Sequence, residues 1–334
     1  MNNRKIKKNQ HYVPKAHLKR FTIEGQKSLI WAFDKNKGEY GRQTASINKI
    51  CAEDYYYYQI DPQGQVDHIQ LEDVISEVEM IGNNIIDKVL DSRFLPYVPI
   101  HGSQKGELAF YIALLMFRGP SFRDGIAEIY GQAAKLVLKK VWDNSKVPTA
   151  LKELVEKEGL SNVVDLQVNS TVSLEHMVKA AQTAALEFLK KEWVLINAPA
   201  GSMFVTGDVP VVFYPYKQHL GDIGPAHPLA EILYPISKNT ALILTPTSNP
   251  KEHIVIGQFS SELLHQINTK VSHAAIDNIF STEKLDWLSA LSLSKGNSQR
   301  LVSNASSNGV SIVKNPWKRK TNKAFKSDSV VDPI

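Results

Sequence analysis

The chain has 334 residues, of which 43% are hydrophobic and 22% are charged, a composition typical of a globular protein with a sizeable core. No run of 18 or more apolar residues is present, which argues against a membrane-spanning helix. The single cysteine, Cys51, excludes an internal disulfide and a cysteine-based zinc site, so we expect a protein of the reducing cytoplasm.

The net charge of +5 is concentrated at the two ends of the chain. Residues 1–20 carry seven basic and no acidic residues, and residues 295–334 carry eight basic and two acidic ones, so the body between them is net negative. Basic ends of this kind can hold an anionic partner such as nucleic acid. The alternative is that both ends are solvated segments that aid solubility.

The first half of the chain predicts two strands followed by helices. Strands are expected at residues 28–34 (SLIWAFD) and 55–60 (YYYYQI). Apolar residues at three- and four-residue spacing predict a helix over residues 69–90. Further helices are expected at residues 103–118, 122–143, 149–158 and 173–191; the first of these is apolar almost all round and should be central to the core.

The second half is rich in short β segments. Apolar runs at residues 192–198, 203–216, 231–237, 240–246 and 253–259 are separated by Gly, Pro, Asn and Ser. A helix from residue 260 or 261 to about 278 and a last short strand follow. From residue 291 onward Ser, Asn, Lys and Gly dominate, which predicts a basic, disordered tail over residues 291–334.

This order of elements predicts an α+β fold with a helical middle and a mostly antiparallel sheet that the early strands join. We expect residues 1–290 to form a single domain. Two domains divided near residue 192 are the alternative.

Two glutamates on the helix over residues 69–90 are candidates for chemistry. Glu72 and Glu79 are seven residues apart and therefore share one stripe of the helix, beside its apolar face. Such a pair can bind a divalent metal or act as acid and base. A solvent-facing acidic stripe is the alternative.

Arg118 ends a helix whose preceding residues are almost all apolar, so it needs an acceptor, and Glu72 or Glu79 is the expected partner.

Two further polar residues stand in distinctive contexts. Asp208 lies in the tight-turn segment TGDVPVV, where it could ligate a metal or hydrogen-bond the amides of its own turn. His11 precedes Pro14, which fixes an extended backbone and holds the imidazole in one direction. A lone histidine can also be a hydrogen-bonded packing residue.

No phosphate-binding loop, dinucleotide-binding motif, serine-hydrolase elbow or HExxH motif is present, so we expect neither a nucleotide nor a flavin cofactor.

Several segments together resemble a bacterial family known as domain of unknown function 4238. The similar segments are NQHYVP at residues 9–14, ICAEDYYY at 50–57, LEDVISEVE at 71–79, FRGPSFRD at 117–124, TGDVPVV at 206–212, YPIS at 234–237 and INTKVSHAAIDNIFS at 267–281. The family's usual Ser-Asp-Asn-Pro differs here, since Val209 replaces its amide side chain. The resemblance implies a fold outline and a set of positions, and it favours one constellation of His11, Glu72, Glu79, Arg118 and Asp208.

Our leading hypothesis from the sequence is a metal-dependent nuclease or phosphodiesterase, with bacterial defence or toxin biology as its setting by analogy alone. Glu72, Glu79 and Asp208 would bind Mg²⁺ or Mn²⁺, with His11 as a further candidate ligand, and Arg118 would hold the phosphate. The amino-terminal residues assigned to nucleic-acid contacts are Lys5, Lys7, Lys8, Lys15, Lys19 and Arg20. A non-catalytic nucleic-acid-binding module and a small-ligand sensor are the alternatives. The sequence does not predict an oligomeric state.

Overall fold

The computed structural model describes residues 8–60, 65–67, 69–142, 147–159, 163, 170–216, 223–293, 301–306 and 309–314. The helices are α1 Lys15–Lys19, α2 Gln70–Asp91, α3 Gly102–Phe117, α4 Pro120–Val141, α5 Thr149–Glu158, α6 Ser170–Leu189, α7 Ser261–Ala274 and α8 Asp286–Ala290. The strands in the first half are β1 Asn9–His11, β2 Leu29–Asp34, β3 Glu39–Tyr40, β4 Ala45–Ser46, β5 Ala52–Asp54, β6 Gln59–Ile60, β7 Val66–Asp67 and β8 Tyr97–Val98. Those in the second half are β9 Glu192–Asn197, β10 Thr206–Gly207, β11 Val212–Pro215, β12 Ala230–Ser237, β13 Thr240–Thr245, β14 Ile254–Ile256, β15 Asn278–Ser281, β16 Leu301–Ser306 and β17 Gly309–Lys314.

Two main sheets organise the α+β fold. One has six strands in the order β11-β12-β13-β9-β14-β8, and its pairs are antiparallel except for β14 with β9. The other has the order β10-β15-β2-β3, with β4 also paired to β2. The early strands thus pair with late strands, as expected, but they do so in a sheet separate from the six-stranded one.

The helix α3 lies at the centre of the core, as its sequence predicts. It packs against α2 and α6, and residues on all its sides are buried, because an apolar circumference leaves no face for water. Buried hydrophobic side chains from both sides of residue 192 belong to one cluster that extends from Tyr12 to Leu288. None of the helices in the described ranges is long and apolar enough to span a bilayer.

The predicted strand over residues 55–60 is wrong for most of its length. Only Gln59–Ile60 is a strand, and the preceding tyrosines form a turn that begins with Tyr55 at φ 53°. Tyr56 and Tyr57 are both buried although they are adjacent. Neighbouring residues of a strand point to opposite faces, so a turn is what allows both rings to enter the core.

The predicted tail also differs from the structure in one respect. Strands β16 and β17 pair as an antiparallel hairpin within the segment for which composition predicts disorder. The two residues that connect these strands, 307 and 308, lie outside the described part of the chain, as do residues 294–300 and 315–334.

Candidate functional site

Arg118 forms the centre of a buried polar cluster with Tyr57, Glu79 and the His11 carbonyl, here called the Arg118 cluster. Its Nε donates to the Tyr57 hydroxyl at 2.8 Å, and its Nη1 donates to Glu79 Oε1 at 2.7 Å. Its Nη2 donates to the carbonyl oxygen of His11 at 2.5 Å, and the Tyr57 hydroxyl donates to the same oxygen at 3.0 Å. The expected pairing of Arg118 with a glutamate of α2 is therefore confirmed, and Glu79 is that partner.

The electrostatics of the Arg118 cluster favour permanent charges. Arg118 is 1% exposed, and burial acts to lower its pKa, but Tyr57 and Glu79 outweigh this and hold the pKa above its ordinary value. Burial raises the pKa of Tyr57 to about 12, although the neighbouring guanidinium acts in the opposite direction. Three of the five N–H donors of Arg118 are given to internal acceptors, so this charged side chain braces α2, α3 and the amino-terminal segment.

His11 enters this cluster through its backbone and not through its ring. The imidazole Nε2 lies 3.1 Å from the carbonyl oxygen of Ile47, so it must carry the proton and donate. β1 pairs with β5, which places His11 opposite Ala52. In this arrangement Nε2 itself is not available to a metal ion.

Asp208 lies in a second cluster, the Asp208 clamp, made of its carboxylate and the amides of residues 276–278. The carboxylate accepts from the N–H groups of Ile276, Asp277 and Asn278 at 2.7, 2.8 and 3.0 Å. Lys35 supports the same loop by donating to the carbonyl oxygens of His273 and Ala275, each at 2.7 Å. Burial raises the pKa of Asp208 to about 6, while the three amide hydrogen bonds act to lower it.

The five predicted catalytic residues therefore do not form one constellation. His11, Glu79 and Arg118 meet, whereas the Asp208 carboxylate holds a different loop and His11 is not among its partners. Glu72 is buried in the first turn of α2, two helical turns before Glu79, and the Arg118 guanidinium contacts Glu79 instead. The hydrogen bonds of Asp208 in the described structure all go to the loop at residues 276–278, and none joins it to the other four residues.

The metal site predicted from Glu72, Glu79 and Asp208 has no counterpart in the described ranges. There, no group of three or more His, Cys, Asp or Glu side chains is placed so that it could hold a metal ion. Glu79 is committed to Arg118 and Asp208 to backbone amides, so neither offers a free pair of carboxylate oxygens. These donors do not fit Mg²⁺ or Mn²⁺, which need several oxygen ligands converging on one point.

His17 is a buried polar residue that the sequence analysis did not single out. Its Nε2 lies 2.8 Å from Thr206 Oγ1, and its Nδ1 lies 3.3 Å from the Tyr234 hydroxyl, against whose ring it stacks. Burial lowers the pKa of His17 to about 3, helped by the charge of Arg20, so the ring is neutral. The sequence did contain a signal for the burial of His17, namely its spacing of four residues from Phe21. In the structure the centres of these two rings lie 5.2 Å apart.

The hydrogen bonds continue from Tyr234 towards solvent. Tyr234 and Tyr111 share a side-chain hydrogen bond, and the Tyr111 hydroxyl donates to Asn83 Oδ1 at 3.4 Å. Arg20 donates to Asn83 Oδ1 at 2.8 Å and to Asp87 Oδ1 at 2.7 Å. This network fastens α1 to both sheets and to α2.

The basic residues assigned to nucleic acid have three different environments. Lys5 and Lys7 lie outside the described residues. Arg20 donates a hydrogen bond to Asn83 of α2. Lys8 is exposed and lies 3.4 Å from Asp54. Lys15 and Lys19 are exposed on α1, and within the described part of the chain no ion pair involves them.

The comparison with known families agrees with the motifs. The model of a protein family of unknown function, DUF4238, matches residues 9–284, so the chain belongs to that family. No curated protein and no solved structure matches.

Proposed function

We propose that this DUF4238 protein is a nucleic-acid-binding module without catalytic activity, and that it contacts phosphates through the lysines of its amino-terminal segment. The observation that carries the proposal is the outward placement of Lys15 and Lys19 on a helix whose other side is fixed in the core. The body of the chain is net negative, so these lysines are where attraction for an anionic strand is expected.

The geometry of α1 supports this proposal. Leu18 is buried and His17 is held by Thr206, which fixes the helix against the core. Lys15 and Lys19 are separated by one helical turn, so their stems start about 5–6 Å apart on one face. Two ammonium groups on a fixed helix can approach neighbouring phosphates without first ordering the backbone that carries them. Residues 1–7, which precede them in sequence, add Arg4, Lys5 and Lys7.

Catalysis has less support than binding. The groups that a metal-dependent nuclease would need are engaged elsewhere: Glu79 holds Arg118, and Asp208 holds three amides. The alternative of a binding module requires none of these groups to be free. We therefore place the function on the exposed lysines and regard the buried polar clusters as the support that positions them.

The proposal predicts a salt-dependent affinity for DNA and RNA that Lys15 and Lys19 set in part. In the Lys15→Gln/Lys19→Gln variant, the slope of log K against log salt should fall by about 1.8 for duplex DNA and about 1.4 for single strands, because two phosphate contacts are lost. Fluorescence anisotropy with labelled 20-mers at several salt concentrations measures this slope.

The matched control replaces Lys139 and Lys140, two exposed lysines at the end of α4, by glutamine. It removes the same net charge and should leave the slope unchanged. Equal losses in both variants would show that net charge alone attracts the strand, and absent binding by the unmodified chain would contradict the proposal.

The same strands incubated with the protein and Mn²⁺ or EDTA should stay intact. Cleavage that requires Mn²⁺ would instead support the metal-dependent nuclease.

A further inference from the structure

A surface cleft lies at the start of α3. Its volume is about 440 Å³, which is within the range of small-molecule sites. Ile100, Leu189 and Pro250 give it apolar walls, and Lys105, Lys251 and Glu252 give it charged groups. The cleft is formed by segments from α3, the end of α6 and the loop before β14.

Lys105 is the group in this cleft whose hydrogen bonding is incomplete. It is 7% exposed, and its Nζ donates to the carbonyl oxygen of Lys251 at 2.7 Å and lies 5.4 Å from the centre of the Trp193 ring. An ammonium group has three N–H donors. Within the described ranges, the Lys251 carbonyl is the one hydrogen-bond acceptor of the Lys105 ammonium group.

The two other most deeply buried lysines each donate to two carbonyl oxygens, one more than Lys105 does. Lys35 donates to the carbonyl oxygens of His273 and Ala275. Lys191 donates to those of His227 and Pro228. Lys105 has one such carbonyl and a cleft beside it, so its remaining donors are available to an acceptor that enters the cleft.

The charges around Lys105 indicate the kind of acceptor. Burial lowers the pKa of Lys105 below its ordinary value, and Glu192 and Glu252 oppose this shift. Glu192 accepts from the backbone N–H of Lys251 at 3.4 Å, and the Lys251 side chain is exposed beside the cleft. Two cationic side chains and one carboxylate line the cleft itself, so their net positive charge favours an anionic ligand.

We propose that this cleft binds a small organic anion: an apolar body that packs against Ile100, Leu189 and Pro250, with one anionic head that accepts hydrogen bonds from Lys105. The chemistry is that of an apolar carboxylate or phosphate monoester. The site is independent of the lysines of α1, so it would let the protein sense a metabolite without using its nucleic-acid face.

The test is calorimetric titration of the full chain with benzoate, phenyl phosphate and benzyl alcohol. Benzyl alcohol keeps the ring but lacks the charge. The two anions should bind saturably and the alcohol at least tenfold more weakly, since a hydrogen bond to a charged group is worth about 1.5–3 kcal/mol and 1.4 kcal/mol is tenfold. Tighter binding of benzoate assigns the head to a carboxylate, and tighter binding of phenyl phosphate assigns it to a phosphate ester.

Two variants test the location. Lys105→Met should weaken anion binding about tenfold or more. Gly102→Leu should abolish it, because Gly102 lines the cleft and a Cβ added there meets no atom within 4 Å, which allows a larger side chain at the opening. A Cβ added at Gly106 on the same helix also meets no atom within 4 Å, and Gly106 does not line the cleft, so Gly106→Leu should bind as the unmodified chain does.

Saturable anion binding that Gly102→Leu abolishes and Gly106→Leu preserves supports the proposal even if Lys105→Met does not fold. No saturable binding of either anion, equal binding of benzyl alcohol, or unchanged affinity in Gly102→Leu would each overturn it. None of these results bears on the nucleic-acid proposal, which depends on Lys15 and Lys19.

Discussion

Replacing Arg118 by methionine should lower the free energy of unfolding by about 3 kcal/mol, because a carboxylate then loses the partner around which it was buried. Methionine fills similar volume but donates no hydrogen bond. Glu79 keeps 26% of its side chain exposed, so water recovers part of the loss and the effect should fall at the lower end of the range for broken buried ion pairs. The Tyr57 hydroxyl also loses its contact with the guanidinium. Urea denaturation at neutral pH measures the change.

A matched control is available five residues along the chain. Arg123 stacks on the Tyr56 ring at 4.2 Å, donates to the Tyr56 carbonyl and donates to Ser173 Oγ at 3.2 Å, with no carboxylate in the arrangement. Arg123→Met should therefore cost about 1 kcal/mol. Adding Glu79→Gln to Arg118→Met should restore part of the stability, since the stranded charge is removed. A cost below 0.5 kcal/mol for Arg118→Met would show that water replaces the guanidinium fully.

The helices were predictable because their signals are local. α2 and α5 begin and end within one residue of the predicted limits, since apolar spacing and flanking Gly or Pro residues define them. The burial of Arg118 and its pairing with α2 followed from one charged residue at the end of an apolar helix. The helix limits need only residues that are close together in sequence, and the Arg118–Glu79 pair joins two helices that follow one another in the chain.

The arrangement of the site was not predictable in the same way, because its contacts are distant in sequence. His17 and Thr206 are 189 residues apart, and neither residue type indicates that the other is its partner. Asp208 occurs in a turn that suits either a metal or local amides, and the deciding fact is that the loop at residues 276–278 presents three N–H groups to it. Spacing along the chain cannot supply that fact.

The contacts also give a physical reason for several motifs that identify the family. Arg118 and Arg123 of FRGPSFRD hold the tyrosines of ICAEDYYY, and Gln10 of NQHYVP accepts from the backbone N–H of Tyr57 at 2.6 Å. Asp208 of TGDVPVV holds the loop in INTKVSHAAIDNIFS. The motifs interlock in pairs, so their residue types are explained by the fold before any ligand is considered. Functional groups should therefore be sought at exposed positions between them.

Breaking the Asp208 clamp should have the second large effect on stability. Asp208→Asn should lower the free energy of unfolding by about 2–4 kcal/mol at pH 7. Asp208 Oδ2 accepts from both Asp277 and Asn278, and an amide nitrogen at that position would face two donors, each costing about 1–3 kcal/mol when left unsatisfied. Placing the amide oxygen there instead would leave the N–H of Ile276 facing the nitrogen. Thermal or urea denaturation of both proteins measures this difference.

The pH dependence of that difference tests the protonation of Asp208. Its folded pKa of about 6 lies above the value of about 3.9 expected for an unfolded chain, so the folded protein binds the proton more tightly. The resulting stability is fully present below about pH 4 and is lost as the pH rises through 6, a change of about 3 kcal/mol. A protonated carboxyl still has two acceptor oxygens, which asparagine lacks, so the variant does not share this gain. The advantage of the unmodified chain over Asp208→Asn should therefore grow by about 2.4 kcal/mol from pH 7.5 to pH 4, with other titrating groups cancelling. An advantage that shrinks towards acid would mean that the three amide donors prevail over burial and hold the carboxylate charged.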